Sequence, residues 1–521
     1  MKKFGYILMA AAAVVSLAAC SEIALDKVNE DVNHAHDAEA KFVFADLTTA
    51  TAFTVVGGDF NTYLGVAVEH WGGVHNQLYK ADQRDGEWIS SSCFNNNWVG
   101  IYNTIKNARV VVAKTADDAE GVDAGNKALN GAAKVLLAYN SAVLTDLFGD
   151  TPYTEACDYF KYPTPKVDKQ EDIYKTINTL LDEAIAQLTG EKTLGTGGFD
   201  FIYGGSAASW LKFAYGLRAR VALHTILRAS DKNAVYTQIL SDIENSFEDS
   251  SEQAEFAKYD GDSSCNPLFS FWYSREAIAA SGSLAEKYLD RDDPRAGMIY
   301  CYPWMSSFDP TDPKEEFDPV PNGQGEEVQE WYTDDIYLYA IDAPTFLLSY
   351  AELQFIKAEV LARKGSAVEA KIAAAEGIAA AFDNVNTSVE SALKFCDSWG
   401  YGVYGPDYAG ALLSAADAAA YAAAVINPKS GEDLIKEIMV QKYLSFHGAN
   451  GGSVEAFNDV RRLKAEGKNY ISLANPKNGS KFPLRCGYGS SDTTTNPNVQ
   501  AAFGDGSYVY SQPVWWAMGT K

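Results

Sequence analysis

Two stretches combine flat aromatic rings with hydrogen-bonding side chains at short spacing. In "HWGGVHNQLYKADQRDGEW", Trp71, Tyr79 and Trp88 lie close to Asn76, Gln77, Asp82 and Arg84. The second stretch is rich in proline and holds Trp272, Tyr273, Arg275, Tyr302, Trp304, Trp331 and Tyr332. Sugar rings stack their C–H faces on aromatic side chains, and their hydroxyls need fixed donors and acceptors. The expected ligand-contacting set is Trp71, Asn76, Gln77, Tyr79, Arg84, Trp88, Trp272, Tyr273 and Trp304. Some aromatics of the second stretch must serve as core, because an irregular region needs one too.

Other chemistry is thinly represented. The chain has no HExxH, no G-x-S-x-G, no P-loop lysine and no dinucleotide glycine fingerprint. A glycosidase needs only two carboxylates placed across a sugar, so 69 acidic residues leave that class open on counting alone. Asp260-Gly261-Asp262 and Asp290-Arg291-Asp292-Asp293 could offer oxygen ligands to calcium. Neither has the spacing of a known calcium loop, so solvated acidic turns are the default and no cofactor is expected. His34 and His36 could bind a metal near the N-terminus, although chance spacing accounts for them more simply. His224 sits in a strongly patterned helix and reads as a packing residue; His447, beside Gly448, reads as part of a helix C-terminal cap.

These residues need a scaffold, and the hydrophobic period supplies a mostly α one. Helices are predicted over 39–68, 98–114, 124–148, 171–188, 207–228, 344–365, 366–382, 431–446 and 453–463. Gly149 followed by Pro152 marks a stop, Ser206 a cap, and Pro344 a first helical turn. "SYAELQFIKAEVLARKGSAVEA" joins two helices through Gly365 with small residues at Ala351 and Ala358, as a tetratricopeptide unit or a plain helical hairpin does. Residues 259–343 carry seven prolines and read as an irregular lobe with short strands at 298–302 and 336–339. Residues 466–521 read as a tail packed by Trp515 and Trp516; Trp98 and Trp210 fall in helical stripes and read as core.

The formal charge is -26, and loss of Lys2 and Lys3 with a leader makes it two units more negative. That balance disfavours nucleic acid and anionic membrane surfaces as partners. Besides Cys20 the six cysteines are scattered without a CxxC pair, which argues against zinc; Cys265 with Cys301 is the pair most open to a disulfide.

At the start, Lys2 and Lys3 precede an uncharged apolar run from Phe4 to Ala19, shorter than the about 20 residues that a spanning helix needs. Leu17-Ala18-Ala19-Cys20 resembles the bacterial lipobox, which implies a cleaved leader over 1–19 and a lipid on Cys20; a plain leader is the alternative. Residues 20–38 then read as a tether, and 39–521 as one domain with its helical scaffold at about 39–258 and 344–465.

Further motifs follow in order: "WVGIYNTIKNAR", "LTDLFGDTPYTEA", "FIYGGSAASWLKFAYGLRARVAL", "DPR" at 293–295, "SYAELQFIKAEVLARKG", "IMVQKYLSFHGANGGSVEAFNDVRRL" and "FPLRCGYGSSDTTTNPNV". With the lipobox, this order resembles the SusD/RagB-like outer-membrane lipoproteins. The resemblance implies a SusD-like fold with tetratricopeptide-like helix pairs and a loop-rich ligand lobe. It also implies a surface binder, not an enzyme, that captures oligosaccharides or peptides for a SusC-like TonB-dependent barrel. Only Glu22 and Asp26 supply the acidic signal that accompanies outward orientation in such proteins.

Overall fold

The computed structural model describes residues 38–301, 317–329, 331–399 and 412–520. Cys20, His34, His36, Tyr302 and Trp304 lie outside the described residues. Ala40–Lys521 forms one compact unit.

Helices dominate it. The first part runs α1 (Ala40–Ala50), α2 (Asp59–Ala67), β1 (Trp71–Gly73), α3 (Asn76–Asp82), α4 (Asn95–Lys114), α5 (Lys127–Phe148), β2 (Thr151–Pro152), β3 (Val167–Asp168), α6 (Gln170–Leu188), α7 (Ala207–His224), α8 (Lys232–Glu244) and β4 (Ala254–Phe256). The proline-rich lobe contributes α9 (Pro267–Arg275), β5 (Ile278–Ala280), α10 (Gly282–Leu289), α11 (Ala296–Ile299), β6 (Tyr300–Cys301) and β7 (Asp334–Asp335). After it come β8 (Thr345–Leu348), α12 (Tyr350–Arg363), α13 (Ala367–Trp399), α14 (Ala415–Val425), α15 (Gly431–Ser445) and α16 (Ser453–Ala465), then short helical turns in the tail.

α5 is the axis of the scaffold. Every residue in it but Lys127 and Lys134 is buried, as expected of a helix apolar around its whole circumference. Asn126 caps its start by accepting from Leu129 N at 3.0 Å, and Gly149 ends it at φ +76°. α4 and α6 flank it, α7 packs on α6 and α8, and α12 packs on α13 and α15. Consecutive helices thus lie side by side as pairs. No helix among the described residues is long and apolar enough to cross a membrane.

Several boundaries differ from the periodicity. The helix predicted over 39–68 is interrupted by a π-helical turn at Thr51–Val56 and by Gly57-Gly58; a Cβ on Gly57 would lie 2.8 Å from Ala52 O and 2.9 Å from Pro267 Cγ. Pro344 does not open a helix. Thr345–Leu348 is a strand paired antiparallel with Ala254–Phe256, and α12 starts only after Ser349, whose side chain accepts from Glu352 N. α13 runs on to Trp399, well past 382, while α8 and α14 were not predicted because their alanines and polar residues carry weak periodicity. The lobe is less irregular than its prolines suggest. Pro267 sits in the first turn of α9, where its missing N–H costs nothing, and Ile336–Tyr339 is a 3₁₀ turn, not a strand.

Cys265, the cysteine considered for a bridge to Cys301, is a free thiol with Sγ 3.6 Å from Asp262 O. His447 is not a cap. It is buried with Nε2 2.7 Å from Asp335 Oδ2, joining the end of α15 to the lobe.

A candidate ligand-binding cleft

β1 and β5 pair antiparallel, Trp71 opposite Ala280 and Gly73 opposite Ile278, and Val74 N extends the ladder to Ala277 O at 2.9 Å. This short ribbon joins the two aromatic-rich stretches that the sequence separates. It sets the start of α3 against the end of α9, and between them opens a cleft of about 390 Å³.

One wall comes from α2, where Asp59 and Tyr63 stand one turn apart on the same face. Tyr63 Oη donates to Glu87 Oε1 at 3.2 Å. Burial pushes the Asp59 carboxyl up, opposed by the Arg275 charge and by Asn96. Burial also pushes the Tyr63 phenol and the Cys93 thiol up, with Glu87 adding to both, so Cys93 stays a protonated, unreactive thiol. The opposite wall is Phe271, Ser274 and Arg275 from the last turn of α9, the guanidinium 5.9 Å from the Phe271 ring. The rim carries His75, Asn76 and Gln77, and Gln329, whose Nε2 donates to Arg275 O at 3.1 Å. Asn76, at φ +49°, donates its N–H to Glu327 Oε1 at 3.0 Å.

Of the residues expected to meet ligand, Asn76 and Gln77 line the cleft. The tryptophans do not. Trp71 is fully buried, its ring 4.8 Å from His447, and a Cβ on Gly65 would lie 2.2 Å from its Cδ1. Trp88 is fully buried, donates Nε1 to Ala81 O at 2.9 Å and packs on Tyr63 and Phe94. Trp272 is buried against Tyr339. These three are corrected to core. Arg84, at φ +56°, is also buried, with Nη1 donating to Ala81 O and Nη2 to Ala67 O and Asn478 Oδ1. Its charge fastens the tail and reaches no ligand. Tyr79 is half-buried outside the cleft lining, and Tyr273, 42% exposed, stacks on Phe269. Trp331 stays 75% exposed, two residues from Gln329. Asp59, Tyr63 and Asn96 were missed because they lie outside both aromatic and polar stretches, whereas Glu87 and Phe271 stand inside them beside Trp88 and Trp272 and were passed over for those larger rings; the one-turn spacing of Asp59 and Tyr63 at a helix start was the available signal.

Tight packing at Trp71 yields a stability prediction. Gly65→Ala should push the indole aside and cost about 1–3 kcal/mol, read as a lowered midpoint in thermal denaturation. An unchanged midpoint would mean that Trp71 is free to move.

A family model described as starch-binding, associating with outer membrane, matches residues 72–488. The chain belongs to the SusD-like family. A SusD/RagB family protein from Bacteroides thetaiotaomicron VPI-5482 is 40% identical, with TM-score 0.87 over 93% of this chain and 100% of that chain. A chitin-binding protein is 22% identical, with TM-score 0.65 over 90% and 99% of the two chains. A SusD homologue from Bacteroides fragilis NCTC 9343 is 19% identical, with TM-score 0.67 over 92% and 99%. The last two share the fold only. No curated protein matches the chain.

SusD-like proteins are binding proteins associated with the outer membrane, not enzymes. In this SusD-like chain Asp260 and Asp293, from the two acidic turns considered for calcium, are internally engaged. Asp260 Oδ1 accepts from Asp262 N and Ser264 N, and Oδ2 from Ser263 Oγ, while Asp293 is bound to Arg295. Among the described residues no group of three or more His, Cys, Asp or Glu side chains is placed to hold a metal.

Proposed function

We propose that the protein captures oligosaccharides at the cell surface and passes them to a SusC-like, TonB-dependent outer-membrane barrel, tethered by a lipid on Cys20 and facing outward. What supports the ligand class is the cleft, whose lining brings Phe271 together with Asp59, Tyr63, Glu87 and Asn96. An aromatic face opposite fixed donors and acceptors is the combination a sugar needs, and the volume falls in the usual range for ligand sites. The family's description as starch-binding supports the same class.

A peptide is the second reading. It is favoured by the carboxylates of Asp59 and Glu87 near Arg275, which could take the two ends of a zwitterion.

Affinity electrophoresis of the purified protein in glycan gels, with an assay for new reducing ends, tests the reading. Retarded migration without product supports it; product formation, or retardation by no glycan, overturns it. Phe271→Ala should weaken glycan binding about tenfold, roughly 1.4 kcal/mol, with the fold unchanged by circular dichroism. Undiminished affinity would remove the stacking face from the site.

A further inference from the structure

We propose that the cleft selects saccharides bearing a protonated amine over neutral and acid-bearing ones. The inference rests on reading the cleft as a glycan site and adds the charge of the ligand.

The argument begins with the carboxylates around Tyr63. Asp59 and Tyr63 sit one turn apart on α2, and Glu87 receives the Tyr63 phenol at 3.2 Å. Among the described residues that phenol is the only hydrogen-bond donor to the Glu87 side chain. Asp59 and Glu87 are both half-buried, so their charges are partly shielded from water but reachable from the cleft. At the rim, Glu327 lies 3.0 Å from Asn76 N and 4.0 Å from His75 Nδ1. Arg275 is the one Lys or Arg in the cleft lining, and its field falls on Asp59. Two carboxylates, Asp59 and Glu87, therefore share the cleft lining with one guanidinium, and Glu327 adds a third acidic charge outside that lining, on Asn76 at the rim.

A carboxylate only accepts hydrogen bonds, and an ammonium only donates, with three protons to give. Charge-assisted bonds of this kind are about twice as strong as those a neutral hydroxyl makes. A uronate would bring a third acceptor-only group beside the two in the lining and lose on both counts. Arg275 is left to bond ring hydroxyls beside the Phe271 face.

The test is titration calorimetry of the full chain with three oligosaccharides of equal length: a glucosamine oligomer below its amine pKa, its fully N-acetylated counterpart, and an oligouronate. The glucosamine oligomer should bind about tenfold tighter than the N-acetylated one and the oligouronate weakest, with the gap shrinking as salt is raised. Glu87→Gln, which can still accept from Tyr63, should cut the preference for the glucosamine oligomer over its N-acetylated counterpart severalfold; Asp59→Asn is the second variant. Equal affinity for the first two ligands, tighter binding of the oligouronate, or a preference untouched by both variants overturns the inference and leaves the glycan reading standing. Binding of none of the three removes the glycan reading and this inference with it.

Discussion

Arg295→Met should destabilise the protein by about 3–5 kcal/mol, the cost of stripping one partner from a buried ion pair. The side chains of Arg295 and Asp293 are both fully buried. Nε and Nη2 of Arg295 donate to the Asp293 carboxylate at 3.0 and 2.6 Å, and Nη2 also donates to Gln441 Oε1 at 2.9 Å. The guanidinium lies 5.1 Å from the Phe382 ring, 5.4 Å from Tyr288 and 5.7 Å from Tyr421. One side chain therefore ties the lobe to α13, α14 and α15. The carboxylate of Asp293 raises the already high guanidinium pKa, so the cation persists at any ordinary pH despite burial. Methionine keeps most of the volume but leaves Asp293 a buried charge with no counterion. The measurement is urea denaturation: the midpoint should fall at unchanged slope. Asp293→Leu combined with Arg295→Met should recover much of the loss, because it removes the orphaned charge. A single variant with wild-type midpoint would show that the pair can be broken without penalty.

The same residues explain how far the sequence could be read. "DPR" was recognisable as a motif, yet nothing local tells that Arg295 meets Gln441 and Phe382, whose helices lie far along the chain. Helices were legible where a period and a cap coincide, as at Ser206, whose side chain does accept from Ser209 N. The strand Thr345–Leu348 was not, because its partner Ala254–Phe256 lies before the whole lobe and leaves no local trace. The aromatic stretches failed for the same reason. Trp71 and Trp88 stand in polar, glycine-containing surroundings, but Gly65, His447, Tyr63 and Phe94 close over them from other segments. Local composition brought the reading to the segments that meet at the junction of α3 and α9, and to Asn76 and Gln77, which line the cleft there. The wall facing them is assembled by the β1–β5 pairing and could be found only once that pairing was known.

The second large effect is a dependence of stability on pH centred on His224. The imidazole is buried at the end of α7, with Nδ1 3.0 Å from Asp146 Oδ2 and Nε2 2.9 Å from Glu455 Oε2, and it stacks 5.9 Å from Trp516. Desolvation lowers its pKa, but Glu455 and then Asp146 outweigh it and raise the group to about 10. Both ring nitrogens face acceptors, so only the imidazolium satisfies the two bonds at once. In the unfolded chain the group returns to about 6.5. Its contribution is therefore complete below about pH 6.5 and is lost as pH rises toward about 10, because over that window the native state holds a proton the unfolded state has released. Lys287, lowered by burial to about 8, works in the opposite sense above that pH, so the total stability of the wild type does not isolate the effect. The difference between wild type and His224→Gln does. Urea midpoints measured from pH 6 to 10 should show a gap worth several kcal/mol at the acid end that narrows steadily toward the alkaline end. A gap independent of pH would mean that His224 is held neutral between its two carboxylates; a gap widening with pH would reverse the sign of the linkage and require one of those carboxylates to carry the proton instead.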